Sequence, residues 1–371
     1  MNEIRKIKYE PRATSHERRG FTLVELVVAI GVMAMVVLFA GTVFKTSIGS
    51  YRLATAQADI MQKFRAITQQ LDSDFRGLRK DAPMFIWFQL DPNDANNRID
   101  QIMFFADGDF QSTRTYDTTV NPIVPAASGS PVMSNLARIY YGQAQSIDPR
   151  DNIIKYPVAL RFIDRVLSRR QHLSIANPDS GLRYWQFPLN YGGTLIVDPC
   201  LNDRFEHDTN SLSQWQAAAL NGTNVDNIIT GCFGNNCPRI DLVNANTLHL
   251  LMAQKVGSFS VQWSYFYNDV STGLTHIYWW PSVDPDGNGN LADSDFGPSG
   301  INLSQFGFHF NTAASSFTTS WFTDSYAGTM GSYYLTKPSF PRALKFTFTL
   351  YDSKGVFKEG QTFTHIVYLG D

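Results

Sequence analysis

From Phe21 to Phe44 the chain reads FTLVELVVAIGVMAMVVLFAGTVF, an apolar run whose single charge is Glu25. A bilayer core of about 30 Å takes about 20 apolar helical residues, so the run is long enough to span. Residues 1–20 are polar and carry Arg5, Lys6, Lys8, Arg12, Arg18 and Arg19 against Glu3, Glu10 and Glu17, a net of +3. That flank predicts a cytoplasmic N-terminus, with the rest of the chain on the outer side. An ordinary secretory signal has an apolar region of about 7–15 residues followed by a small-residue cleavage site, and neither fits here. A plain anchor gives no reason for a carboxylate in its first turns. An ionisable group inside a span costs free energy and marks function by default.

The helix is expected to run on beyond the span. Leu53, Ala56, Ile60, Phe64, Ile67, Leu71, Phe75 and Leu78 recur at steps of three or four, while Gln57, Asp59, Gln62, Lys63, Arg65, Gln69 and Asp72 fill the other faces. No proline occurs between residues 21 and 82, and Pro83 marks a stop. A helix over residues 22–80 would be about 90 Å long. The predicted organisation is therefore a leader at 1–20, a membrane helix at 21–44, its amphipathic extension at 45–82 and a body at 83–371.

The composition of the body favours strands. Aromatic residues make up 13% of the chain and charged residues 17%, which suits a pleated, half-buried surface. Met84–Leu90, Ile99–Phe105, Leu136–Tyr141, Val158–Ile163 and Thr247–Met252 are short apolar strand candidates. Phe259, Val261, Trp263 and Tyr265 alternate with polar residues, as do Leu344, Phe346, Phe348 and Leu350. The last run, 362–369, is expected to pair antiparallel with the one before it. The fold class that follows is α+β, an antiparallel β-sheet body packed on a long N-terminal helix. Loops are expected at 107–135, 201–238 and 281–300.

The string Arg19-Gly20-Phe21-Thr22-Leu23-Val24-Glu25 resembles the N-terminal signal of type IV pilins and type II secretion pseudopilins. A basic stretch, a glycine before the cut, a phenylalanine after it, a glutamate four residues further on and an unbroken apolar helix all fit. The resemblance implies that a prepilin peptidase cuts Gly20–Phe21 and methylates the new Phe21 amine. It also implies a lollipop shape, and a non-catalytic subunit held in the bacterial inner membrane, with a periplasmic body, before it joins other pilins in a filament. Glu25, the sole nearby anion, would pair with the Phe21 amine of a neighbouring subunit, compensating the burial of both charges. Many members carry Pro where this chain has Thr42, preceded by Gly41, a weaker helix breaker.

Within the family the chain is most similar to the large J-type minor pseudopilins or W-type minor pilins. The resemblance is carried by the Leu71–Arg76 run, the Ile102–Phe105 strand and the Phe-Pro-Arg-Ala-Leu-Lys-Phe segment at 340–346. A minor or tip subunit of a type II secretion pseudopilus or of a type IV pilus follows. An adhesin or substrate-binding tip protein working through its long aromatic loops is the alternative.

Enzyme motifs are missing from the sequence: the seven histidines are scattered, with no H-E-x-x-H, no G-x-S-x-G and no phosphate-cradling glycine loop. A net charge of −2 argues against a nucleic-acid partner. No cofactor is required, but one loop has the spacing of a calcium site. Asp284, Asp286 and Asn288 stand at positions 1, 3 and 5, Gly289 at 6, the Asn290 carbonyl at 7 and Asp295 at 12. Position 12 is the shorter Asp and the flanks lack paired helices, so a solvated Asp/Gly turn is the competing reading. Cys232 and Cys237 bracket a turn-prone Phe-Gly-Asn-Asn and are candidates for a disulfide, with Cys200 a rival partner for either.

Overall fold

The computed structural model describes residues 21–91, 94–120, 123–175, 206–208, 211–220, 225, 228, 232–233, 237–243, 245–268, 275–280, 305–313, 318–323, 330–337 and 340–370. By its contacts the chain divides between Thr55 and Ala56. A single helix, α1 (Leu23–Arg76), contributes to both units and is unbroken through Gly41 and Thr42. It ends four residues short of the expected Lys80. At Gly77 a side chain would meet the Asp107 carbonyl oxygen at 1.9 Å, so only glycine lets the chains approach. The Asp107 N–H donates to the Gly77 carbonyl at 2.8 Å and the Arg79 N–H to the Phe105 carbonyl at 2.9 Å. Pairing with a strand, rather than Pro83, ends the helix.

The strands in chain order are β1 (Met84–Asp91), β2 (Asp94–Arg98), β3 (Gln101–Asp117), β4 (Val124–Pro125), β5 (Ser130–Asp148), β6 (Ile153–Lys155) and β7 (Val166–Ser174). There follow β8 (His207–Asp208), a short helix α2 (Leu212–Ala218), β9 (Arg239–Ile240), β10 (Leu251–Gln254), β11 (Val256–Asn268) and β12 (Thr275–Trp280). Last come β13 (Gln305–Phe310), β14 (Thr318–Thr323), β15 (Met330–Lys337), β16 (Ala343–Leu350) and β17 (Gln361–Tyr368). A large sheet has the order β10-β7-β5-β3-β1-β13-β15-β14, and a four-stranded sheet the order β12-β11-β16-β17. Pairing is antiparallel except for β13 with β15, β5 with β9 and β7 with β8. The α+β architecture, a long helix followed by an antiparallel sheet body, is the one expected.

Three local expectations need correction. Val158–Ile163 is not a strand but two 3-10 turns, Pro157–Ala159 and Phe162–Asp164, because Pro157 opens a turn instead of joining a ladder. The first four residues of Thr247–Met252 lie in the 3-10 helix Ala245–Leu250, and β10 starts only at Leu251. Much of the expected loop 107–135 is hairpin: β3 and β5 stay paired out to Tyr116 and Ser130, with shifts of register on the way.

The large sheet is covered on both faces. Ile60, Ile67, Leu71 and Phe75 of α1 form one core with Ile86, Phe104 and Tyr141 of the large sheet and with Phe259, Phe346 and Phe348 of the small one. Phe75 stacks on Phe104 with ring centres 4.1 Å apart. The alternate side chains Phe85, Trp87, Met103, Phe105 and Tyr140 face a second core with Trp215 and Ala218 of α2 and Cys232 and Phe233. Alternation along a pleated strand is the cause: neighbours point to opposite faces. Burying each such side chain stabilises by about 1.5–3 kcal/mol.

Two buried ion pairs fasten the sheets together along β11. Asp100 accepts from the Gln89 N–H at 3.1 Å and the Val261 N–H at 2.8 Å, while its partner Arg98 donates to the Val261 carbonyl at 3.0 Å. Arg165 pairs with Asp91 at 2.5 Å and donates to the Gly257 carbonyl at 2.9 Å. Such pairs fix geometry more than they add stability, because desolvation offsets most of their attraction.

Candidate processing and assembly site

Phe21 and Thr22 precede the first turn of α1, and Phe21 is 88% exposed. The carbonyl of Thr22 accepts the Leu26 N–H at 3.1 Å, which makes Thr22 the N-cap. Its hydroxyl oxygen accepts the Glu25 N–H at 3.3 Å. In return Glu25 Oε2 accepts the Thr22 N–H at 2.9 Å and its hydroxyl at 3.0 Å. This is a capping box, in which two side chains satisfy the orphan donors at the start of a helix. Its signature, Thr-x-x-Glu before an apolar run, is plain in the sequence, yet the reading above gave Glu25 an intermolecular role alone. A carboxylate is also at home beside the positive end of the helix dipole.

The arrangement ties Glu25, four residues along the chain from Phe21, to Thr22, the residue next to the Phe21 amine that cleavage would create. Gly20 and the rest of the leader lie outside the described residues. Beyond the cap, every residue from Phe21 to Leu53 is exposed in the single chain, and the apolar stretch has a mean hydropathy of 2.7. This helix is long and apolar enough to cross a membrane.

A second carboxylate on the same helix was missed by sequence reasoning. Asp74, 3% exposed, receives Arg169 Nε at 2.6 Å and Nη2 at 2.8 Å, Gln70 Nε2 at 3.0 Å and the hydroxyl of Tyr141. Burial, reinforced by the Asp74 charge, holds the Tyr141 hydroxyl pKa well above its ordinary value. Burial works against the Arg169 charge, but its bonds to Asp74 win and raise its pKa. This cluster ties α1 to β5 and β7. Nothing in local sequence spacing marks it, because Arg169 is far from Asp74 along the chain.

Two of the remaining candidates, Cys232 and Cys237, lie among the described residues. Cys232 and Cys237 are both buried and are not bonded to each other. Cys232 sits in the apolar cluster around Trp215, which Cys237 does not join. Cys200 lies outside the described residues, as does the whole of the 284–295 loop with Asp284, Asp286, Asn288, Asn290 and Asp295. Among the described residues no group of three or more His, Cys, Asp or Glu side chains is placed to hold a metal. His365 Nε2 lies 2.8 Å from Asp72 Oδ1 and links β17 to α1. His309 is fully buried against Phe85, ring centres 4.5 Å apart, and burial lowers its pKa to about 3.

No curated protein and no solved structure matches the chain. Residues 16–41 match the family model of the prokaryotic N-terminal methylation motif. That motif implies processing by a prepilin peptidase and assembly with other pilins, and it suggests a structural rather than an enzymatic subunit. Together, the motif at 16–41 and the long apolar helix that begins inside it support membership of this chain in the type IV pilin and pseudopilin family.

Proposed function

We propose that this chain is a minor pilin or pseudopilin, a structural subunit at or near the tip of a type II secretion pseudopilus or type IV pilus. The observation that carries the reading is the capped Glu25 at the head of an exposed apolar helix, inside a methylation motif. The leader of net +3 supports an N-terminus in the cytoplasm, a single pass through the inner membrane and a periplasmic body. The size of the body, larger than a repeating shaft subunit needs, supports a tip position. Calcium bound at 284–295 is part of the same proposal and adds stability to the body, not catalysis.

Co-expression with a prepilin peptidase is expected to remove residues 1–20 and leave N-methyl-Phe21, and Gly20→Asp to abolish both. An intact leader by mass spectrometry in the wild-type chain would overturn the reading. Immunogold labelling of sheared filaments tests the position. Gold at filament ends supports a tip subunit, whereas gold along the whole length assigns the chain to the shaft.

A further inference from the structure

β17 differs from the two rims of the large sheet, β10 and β14. Natural edge strands are blunted by shortness, bulges, lysines or prolines, because an open row of N–H and C=O groups templates another strand. In the large sheet, β10 is four residues long and its ladder shifts between Leu251 and Ala253. β14, at the other rim, is irregular between Phe322 and Thr323. β17 uses none of these devices. It pairs with β16 through eight matched positions without a shift, and its sequence, Gln-Thr-Phe-Thr-His-Ile-Val-Tyr, contains no Lys, Arg, Asp, Glu, Pro or Gly. Among the described residues β16 is its one strand neighbour.

A separate observation falls on the same side. Under β16 the apolar layer is sealed, with Phe346, Phe348 and Leu350 all at 0% exposure. One strand further out it stops short. Phe363 of β17 and Phe64 of α1, stacked at 4.8 Å, are only partly buried, and Thr362, Thr364, Ile366 and Tyr368 are exposed. One more strand at this edge would satisfy the outward backbone groups and lay alternate side chains over the Phe64–Phe363 pair.

We propose that the edge of β17 accepts an extended strand from a neighbouring filament subunit, completing the small sheet by strand addition. Main-chain hydrogen bonds supply the affinity and alternate side chains the selectivity. The donor has apolar residues at alternate positions for the Phe64–Phe363 side and small polar ones beside the Thr362 and Thr364 row. It is poor in charge, because the edge itself offers only His365, already engaged by Asp72. The choice of a filament subunit as donor rests on the function proposed above.

The test uses the full-length chain in cells assembling filaments. A benzoylphenylalanine photo-crosslinker at Thr364 is compared with one at Met133, which is 60% exposed on β5. The expected result is an adduct with a pilin-type subunit, identified by mass spectrometry, from position 364 and none from 133. Closing the edge with Thr364→Lys plus Ile366→Lys, both on exposed side chains, should lower filament recovery about tenfold, the effect of roughly 1.4 kcal/mol. The melting temperature of the purified chain should stay unchanged. Thr347→Lys places the same charge one strand inward without closing the edge and should assemble like wild type. Unchanged recovery of the double variant, no adduct at 364, or an equal loss with Thr347→Lys would each overturn the proposal. If the wild-type chain is itself absent from filaments, the filament reading fails first, and an adduct at 364 with a non-filament protein then overturns the choice of donor.

Discussion

Glu25 and Asp74 lie on one helix and are held in opposite ways. Asp74 is enclosed, and Arg169, Tyr141 and Gln70 all donate to it from within the same chain. Glu25 is exposed among apolar side chains, and its hydrogen bonds reach no further than Thr22. Burying a carboxylate without a cation is expensive. Asp74 has its cation and therefore belongs to the fold. Glu25 has none among the described residues, so burial of this stretch in the proposed filament would require one to arrive from elsewhere, and the Phe21 amine that the proposed cleavage would create is a group of the right charge. The contrast separates a charge that completes the subunit from one that, on the proposed function, is left for assembly.

The largest effect should come from breaking the assembly side of that contrast. Glu25→Leu makes the span more apolar, so insertion and cleavage should persist while recovery in sheared filament fractions collapses. Equal recovery of mutant and wild type would show that Glu25 does no more than cap its helix. Thr22→Val sharpens the point by removing the hydroxyl from the cap while leaving the carboxylate. It should cost about 1 kcal/mol of local helix stability and leave filament recovery far above that of Glu25→Leu.

On the other side, Asp74→Ala leaves Arg169 buried without its anion and should destabilise the body by about 3–5 kcal/mol. Urea melts of the full-length chain in detergent measure it, and processing at Gly20–Phe21 should be unaffected. A loss below about 1 kcal/mol would place Asp74 among ordinary surface charges.

A smaller effect concerns pH. His309 has a folded pKa of about 3, below its ordinary value, because burial disfavours its charged form. As pH falls below about 6.5 the unfolded chain binds a proton that the folded chain refuses, so stability drops by up to about 1.4 kcal/mol per unit until the folded pKa is reached. Melts at pH 7 and pH 5 should therefore diverge, and less so in His309→Phe or His309→Gln. Identical acid sensitivity in all three chains would assign the drop to other groups.

A last expected shift belongs to the 284–295 loop. Calcium at 100 times its dissociation constant adds about 2.7 kcal/mol, a melting shift of roughly 2–4 °C in a body of this size. Asp284→Ala plus Asp286→Ala should abolish the shift and Asp293→Ala should preserve it. Coincident melts in calcium and in EDTA would make the loop a simple turn.

What the sequence disclosed follows from the range of the forces involved. The helix was legible because its periodicity and cap are local, and Phe346, Phe348 and Leu350 were legible because alternation against one core is local too. The capping box was equally legible and was passed over, since Glu25 already had an explanation. Val158–Ile163 misled because an apolar run looks the same whether it enters a ladder or turns over Phe162, whose ring lies 4.6 Å beneath the Arg165 guanidinium. The outer arms of β3 and β5 were read as loop because Gly108, Ser112, Gly129, Ser130 and Pro131 interrupt their apolar pattern. The Asp74–Arg169 and Asp91–Arg165 pairs join residues that only the finished fold brings together, as do the bonds of the neighbouring Arg98 and Asp100 to Val261.

The strand order carries a further consequence for how such a chain grows. After β12 the backbone leaves the small sheet, lays β13, β15 and β14 at the rim of the large one beside β1, and returns to pair β16 with β11. Those three strands interrupt the small sheet in sequence but form an outer margin in space. A single in-frame deletion between β12 and β16 would remove them while leaving the pairing of β3, β5 and β7, and that of β11, β16 and β17, untouched. The length of the segment between β12 and β16 can therefore change at a margin of the body without touching the helix or its two carboxylates.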